Sequence, residues 1–460
     1  MEKPVKVLAI DLGASSGRGI VYSYDKDRLS DTEVYRFSNG AKEKNGELFW
    51  DAAEIYAHIC KAIEKADKQF GRIDSVGIDT WGVDFGLIGQ DGELLCDPKH
   101  YRNPVNTKMR RKYAEKDEEF FRIAGISVND FNTTYQLLAL KEQGFDWSKV
   151  KHLLFMPQLF GYMLTGEAAS EPAISSTSGF FKDGSFDEEF LRKAGVPLLV
   201  FPEVRKTFGK LGYLNEKSKK AAGISYDLPV FLTPGHDTAC AVLCCREEKD
   251  PLYLCSGTWS LFGTLEEKPI ISKEAFLGKY TNERSAEGKI RFLRNIMGMW
   301  IIQECRKEWA EEGISLDYPE IVRLAESAKE SDSLIDVDDE MFFSPGKMVT
   351  KIKEYIRKKG ETVPETVGEV AACVYKSMAE AYRSAYSELC RITGKSYTAL
   401  QIFGGGCKNK YLNKKISELT GLQIVAGPTE ASALGNAAGQ LIGLGAVDLE
   451  TVRKLVSMQD

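Results

Sequence analysis

Asp237 stands in the stretch LTPGHDTACAV, residues 232–242, between a Pro-Gly-His turn and a run of small and apolar residues. The turn breaks the strand-like PVFL and a small-residue helix follows, so the carboxylate falls at or near a helix N-terminus. There it can cap the helix, worth ~1 kcal/mol. It can also act as a general base, taking a proton from a substrate hydroxyl while a phosphoryl group arrives from the other side. The two roles are compatible.

Three further loops are rich in small residues. DLGASSGR (11–18) ends a strand on Asp11, and Gly13 and Gly17 permit tight turns whose N–H groups can meet an anion. Ala14 lies at its tip, Ser15 and Ser16 add hydroxyl donors, and Asp11 is placed to stand beside a phosphate-bound Mg2+. The loop lacks the GK[ST] ending of a Walker motif, and a strand rather than a helix follows it. An ordinary Gly-Ser hairpin would read the same way. CSGTWS (255–260), with Gly257 and Thr258, is a second such hairpin. FGGGCKNKYLN (403–413) sets Gly404, Gly405 and Asn409 between a strand and a helix, where a flat group can approach the backbone and the helix N-terminus favours negative charge. GIDTWGVDFGLI (77–88) puts Asp79, Trp81, Gly82 and Asp84 at a strand end, and polar groups beside an indole suit a sugar. Two hairpins, a triple-glycine turn and a turn-borne acid together suit phosphoryl transfer, which needs positioning and charge stabilisation more than covalent catalysis.

The elements that must carry these loops follow from periodicity. VKVLAI (5–10) and RGIVYSY (18–24) read as strands, 52–70 as a helix with Ile55, Tyr56, Ile59, Ile63 and Phe70 near one face, and IDSVGID (73–79) as a buried strand. In the second half PLYLC (251–255) and SLFGTL (260–265) read as strands, 365–393 as a long amphipathic helix and ALQIF (399–403) as a buried strand. The order strand, hairpin loop, strand, helix, strand thus recurs, a weak internal duplication. It predicts two related α/β domains, 1–245 and 246–460, with the boundary near 243–250. The small-residue helix in AGPTEASALGNAAGQLIGLG (426–445) reads as a close-packing element, and 325–340, the most polar stretch, as a surface loop.

Length and composition bound the rest. At 460 residues the chain exceeds one compact core. The net charge of −6 with no basic block argues against a nucleic-acid partner. No stretch reaches the ~18 apolar residues of a membrane span. The N-terminus shows no signal pattern and the ten cysteines no CxxC spacing, so a cytoplasmic protein with reduced thiols is expected.

Taken together, DLGASSGR, GIDTWGVDF, YRN, FNTTYQL, LTG, PGHDTACAV, SGTWSL, FFSPGKM, FGGGCKN and AGPTEASALGN resemble the FGGY carbohydrate kinases, and within them the rhamnulokinase branch. The resemblance runs from residue 11 to 436. It implies two actin-like (ribonuclease H-like) ATPase domains with an interdomain cleft, and ATP-dependent transfer of the γ-phosphoryl group to the 1-hydroxyl of L-rhamnulose. By that likeness Asp237 matches the catalytic base. Gly13–Gly17, Gly257, Thr258, Gln303, Gly404, Gly405 and Asn409 match ATP contacts. Gly82, His236, Thr238 and Asn295 match sugar contacts, beside Trp81, and Asp11 is the Mg2+-side acid. A monomer or homodimer taking a small sugar and ATP is expected. Two departures are Asn103, after Tyr101-Arg102 where the family shows an acid, and Gln158 before LTG, where it shows aspartate. A kinase for another ketose, such as L-fuculose or L-xylulose, is the near alternative. A non-catalytic sugar-sensing or actin-like nucleotide-switch protein is the alternative of another class, although it would not need an acid at Asp237.

Overall fold

The computed structural model describes residues 3–26, 28–246, 251–329 and 332–457. Contacts divide the chain into two units: Met1–Arg246 with Glu266–Phe292 and Ala431–Gln459, and Glu247–Leu265 with Leu293–Glu430. The boundary expected near 243–250 runs into 247–250, which lie outside the described residues.

The first unit is built on a six-stranded sheet. Its strands follow the order Lys210–Tyr213, Pro229–Phe231, Ser75–Thr80, Val5–Leu12, Ser16–Asp25, Arg28–Ser38. Ser75–Thr80 pairs in parallel with both Val5–Leu12 and Pro229–Phe231, and the hairpin Val5–Asp25 is antiparallel. The central strands are apolar runs buried on both faces, as parallel strands must be. The edge strand Arg28–Ser38 is largely exposed. The expected helix is Ala52–Phe70; Asp51 caps it, and Ile55, Ile59, Ala62, Ile63 and Ala66 are buried.

The small-residue helix Ala431–Gly443 packs on Val5–Leu12 and on the helix Asp237–Leu243. Its composition has a steric cause: a Cβ at Gly435 would stand 1.8 Å from the Cys240 carbonyl oxygen. Close approach then lets Gln440 donate to the Leu8 carbonyl at 3.0 Å and accept from the Ser75 hydroxyl at 2.8 Å.

The second unit repeats the strand order. Gln423–Ala426, Ala399–Phe403, Leu252–Ser256, Trp259–Glu266 and Ile290–Met297 are successive neighbours. Ala399–Phe403 is parallel to both Gln423–Ala426 and Leu252–Ser256, and the hairpin Leu252–Glu266 is antiparallel. The long helix is Val367–Thr393, begun by a Thr366–Glu369 capping box and stopped at Gly394 with φ 69°.

The polar stretch 325–340 is less exposed than its composition predicts. The helix Tyr318–Glu326 runs into it, and Ser333, Ile335 and Val337 are buried. The reason is the long helix: the Ile335 amide donates to the Ser377 hydroxyl at 3.0 Å, and the Cys373 thiol donates to the Ser333 carbonyl. The ten cysteines are all free thiols.

Candidate active site

In the first unit the chain brings three acids to neighbouring strand and helix ends. Asp11 and Asp79 are direct partners in the parallel register of Val5–Leu12 and Ser75–Thr80. Asp11 lies opposite Arg18 across the hairpin, and the guanidinium grips its Oδ2 through Nη2 at 2.7 Å and Nε at 3.0 Å. The Thr80 amide donates to the Gly235 carbonyl at 2.9 Å, which ties the strand end to the turn before Asp237.

That turn shows which residue caps the helix. The cap of the helix Asp237–Leu243 is His236, whose Nδ1 accepts from the Thr238 amide at 3.1 Å. Asp237 is the first helical residue. Its Oδ1 is held by the Thr238 amide and hydroxyl at 2.5 and 3.1 Å, and no described hydrogen bond reaches Oδ2. The side chain keeps 33% exposure, enough for a substrate hydroxyl to reach it. Burial, then the Asp11 charge, pushes its carboxyl up to about 6, while Thr238 and Arg291 pull the other way. Burial drives His236 well below the usual histidine range. The ring is therefore neutral, and with Nδ1 accepting, its proton sits on Nε2.

Asp79 is fully buried. Asn436 donates to its Oδ1 at 2.6 Å, and its Oδ2 has no hydrogen-bond partner among the described residues. Burial, Asp11 and Asp237 hold its carboxyl well above the usual range. An orphaned carboxylate oxygen beside two further acids fits a divalent cation. Among the described residues no group of three His, Cys, Asp or Glu is placed to hold a metal ion by itself. Mg2+ does not require one, because it keeps waters and takes one or two carboxylates with substrate phosphates.

The Gly13–Gly17 hairpin differs in detail from expectation. The Gly13 amide is not open to an anion, since it donates to the Ser16 carbonyl at 2.9 Å. Among the described residues no hydrogen bond engages the Ala14 or Ser15 amides at the tip. Gly17 is required by space: its Cβ would lie 2.2 Å from the Phe37 ring.

Gly82 and Trp81 follow Asp79. A Cβ at Gly82 would stand 2.9 Å from His236 Cδ2 and 3.2 Å from Thr177 Cγ2, so only glycine lets this backbone lie against the imidazole. Trp81 is buried, with its indole N–H on Asp84 Oδ2 at 3.0 Å. Asp11, Asp237, Trp81, Gly82, His236 and Thr238 thus share one unit with the hairpin.

The other predicted residues belong to the second unit. Gly257 and Thr258 form the hairpin tip, and their carbonyls accept from Met299 at 2.9 Å and Gly298 at 3.2 Å. These bonds tie the tip to the start of the helix Trp300–Glu311, which carries Gln303. Gly404, at φ 81°, and Gly406 lie against Ser256, where added Cβ atoms would come within 2.8 Å of its carbonyl oxygen and 2.0 Å of its hydroxyl. Gly405 faces open space, and Asn409 caps the helix Lys410–Thr420. Asn295 lies on Ile290–Met297, in the second unit.

Arg18, Asn436 and Arg291 escaped the sequence reading. Arg18 and Asn436 sit inside motifs quoted for their neighbours, so the signal was present. Arg291 is fully buried, 2.9 Å from Glu283, in a strand with no motif around it.

Comparison with known proteins places this geometry. Residues 6–244 match the N-terminal domain, and residues 252–444 the C-terminal domain, of the FGGY family of carbohydrate kinases. The chain is 36% identical over 457 residues to a rhamnulokinase of Halalkalibacterium halodurans, covering 98% of this chain and 96% of that one. It is 36% identical over 456 residues to a rhamnulokinase of Bacteroides thetaiotaomicron, covering 98% and 93%. Among solved structures it is similar to a gluconate kinase from Lactobacillus acidophilus, with TM-score 0.80, 16% identity and 98% and 92% coverage. It is also similar to a Plasmodium falciparum glycerol kinase with ADP, with TM-score 0.77, 14% identity and 99% and 92% coverage. The two sheet-cored units have the actin-like ATPase fold of the sugar kinases, and the chain belongs to the FGGY family of carbohydrate kinases.

Proposed function

We propose that the chain transfers the γ-phosphoryl group of ATP to the 1-hydroxyl of L-rhamnulose, giving L-rhamnulose 1-phosphate and ADP. The observation that carries the reading is Asp237: an acid one-third exposed, its Oδ1 fixed by Thr238, its carboxyl near 6, next to a neutral His236. At neutral pH it is ionised and ready to accept a proton, and its pKa lies close enough to the working pH for that transfer to be efficient. The rhamnulokinase relatives over the full length support the choice of sugar.

In this reading the sugar O1–H gives its proton to Asp237 as O1 bonds to the γ-phosphorus. The bridging P–O bond to the β-phosphate breaks and ADP leaves. His236 presents Nε2–H as a donor to a sugar oxygen, and the Gly82 backbone lies against it. Trp81 and Thr238 are further sugar contacts, and Asn295 is assigned to the sugar by the family likeness. Ala14 and Ser15 offer amides, and Ser15 and Ser16 hydroxyls, to phosphate on the Gly13–Gly17 hairpin. Gly257, Thr258, Gln303, Gly404, Gly405 and Asn409 serve the nucleotide. Asp11, with Asp79 behind it, would hold Mg2+, which when bound neutralises charge on the phosphates. A cytoplasmic monomer or homodimer completes the reading. No described helix is long and apolar enough to cross a membrane.

Asn103 and Gln158 favour a second reading, a kinase for another ketose. Asn103 caps the helix Pro104–Lys112 and donates to the Leu48 carbonyl at 3.1 Å, and Gln158 is buried. A coupled ADP-release screen over ketoses and polyols with Mg2+ separates the readings. L-Rhamnulose is expected to give the highest kcat/KM, with phosphate on O1 by NMR. A higher value for L-fuculose or L-xylulose would move the assignment, and no sugar-dependent ADP release would remove the kinase reading.

A further inference from the structure

Asp84 is a buried carboxylate with no cation among its hydrogen-bond partners. Four N–H donors from four separate segments converge on it instead. Its Oδ2 accepts from the Trp50 indole at 2.6 Å, the Trp81 indole at 3.0 Å and the Tyr101 amide at 3.1 Å, and its Oδ1 accepts from the Gln136 amide at 2.8 Å. Three of the donor residues sit in an aromatic cluster: Trp50 lies 3.9 Å from Trp81 and 4.2 Å from His100, and His100 lies 4.4 Å from Tyr101. Burial pushes its carboxyl up to about 7 although all four donors pull it down, so an acid kept here at that cost points to a task.

The task is visible one residue earlier. Val83 has φ 67°, a left-handed conformation that a β-branched residue adopts only under constraint. Two threonines hold it there: its N–H donates to the Thr177 hydroxyl at 3.1 Å, and its carbonyl accepts from the Thr133 hydroxyl at 2.6 Å. Next to this constrained residue, Gly82 lies against His236. Asp84 anchors the far end of the turn. Gln136 spans both, since its amide also reaches the Val83 carbonyl at 3.4 Å. The Tyr101 hydroxyl lies in the fields of both Asp84 and Asp237, so the same acid holds a residue near the proposed base.

We propose that Asp84 is a positioning residue of the sugar half-site. Its four-donor knot holds the strained Trp81–Val83 turn in place, and so sets how tightly the sugar binds. The inference rests on the kinase reading. It predicts a loss confined to sugar affinity. In Asp84→Ala the donors are left unpaired and the turn is released, so KM for the sugar rises about 30-fold, while KM for ATP is unchanged. Asp84→Asn rescues most of this, because its oxygen can face the three donors on one side while the Gln136 amide rotates to accept its N–H. Trp50→Phe removes one N–H but keeps a ring, and raises the sugar KM about fivefold.

The experiment is steady-state kinetics with both substrates varied on the wild type and the three variants, with melting temperatures alongside. A sugar KM that rises in Asp84→Ala and returns in Asp84→Asn supports the inference. An unchanged sugar KM in folded Asp84→Ala, with only the melting temperature or active fraction lowered, overturns it. So does an Asp84→Asn variant as impaired as Asp84→Ala. Where Asp84→Ala does not fold, Trp50→Phe decides in the same way. An inactive wild type would sink the kinase reading and this inference with it; an active wild type with unshifted variants would sink this inference alone.

Discussion

The two sheets share one plan and differ at their strand ends. In each unit a hairpin leads from a central strand that pairs in parallel with a later one. In the first unit the register sets Asp11 against Asp79; the parallel register of the second sets Cys255 against Phe403. The first hairpin carries Arg18 on Asp11 Oδ2, while the second joins Ser256 to Ser260. The same backbone thus offers carboxylates in one unit and small or apolar groups in the other. Topology provides the platform, and the residues at the strand ends decide which groups it presents.

Substitutions sharpen that contrast. Asp237→Asn keeps the shape and the Thr238 contacts but removes the proton acceptor. We expect kcat to fall by about 10²–10⁴-fold, with nucleotide binding by calorimetry and the melting temperature near wild type. At a matching strand end of the second unit, Cys255→Ser is expected to leave kcat within about threefold. A large loss there would break the comparison.

Removing one acid of the first sheet should retune another. The Asp11 charge raises the Asp237 carboxyl, so Asp11→Asn lowers it. The residual activity of that variant then persists to lower pH than the wild type does, a shift read from rate against pH. No shift, or a shift upward, would detach the two acids. Smaller still is a pair of glycine changes read by thermal melting. Gly17→Ala drives a methyl into the Phe37 ring and costs about 1–3 kcal/mol, while Gly405→Ala meets open space and leaves stability nearly unchanged.

Much of this arrangement was legible in the sequence because it is local. The helix Ala52–Phe70 and the strand Ala399–Phe403 follow from periodicity, and the Asp237 turn from its Pro-Gly-His break. Other features were not, because they depend on distant partners. Asn436 meets Asp79 across 357 residues, and the Asp84 knot gathers Trp50, Tyr101 and Gln136 from separate segments. Polarity misled at Ser333–Val337, where the long helix supplies the hydrogen bonds that let a polar stretch be buried. Local residue types also could not tell that His236, rather than Asp237, would cap the helix.

The central claim is that the Asp237 carboxylate takes the proton from the sugar. Its most direct test is kcat/KM for the sugar measured from pH 4.5 to 8.5. With the carboxyl near 6, the account predicts a plateau above that pH and a fall of about tenfold per unit below it. The break should survive Asp84→Asn and vanish from the residual rate of Asp237→Asn. A wild-type profile without a break between pH 5 and 7, or a break that persists unchanged in Asp237→Asn, would contradict it.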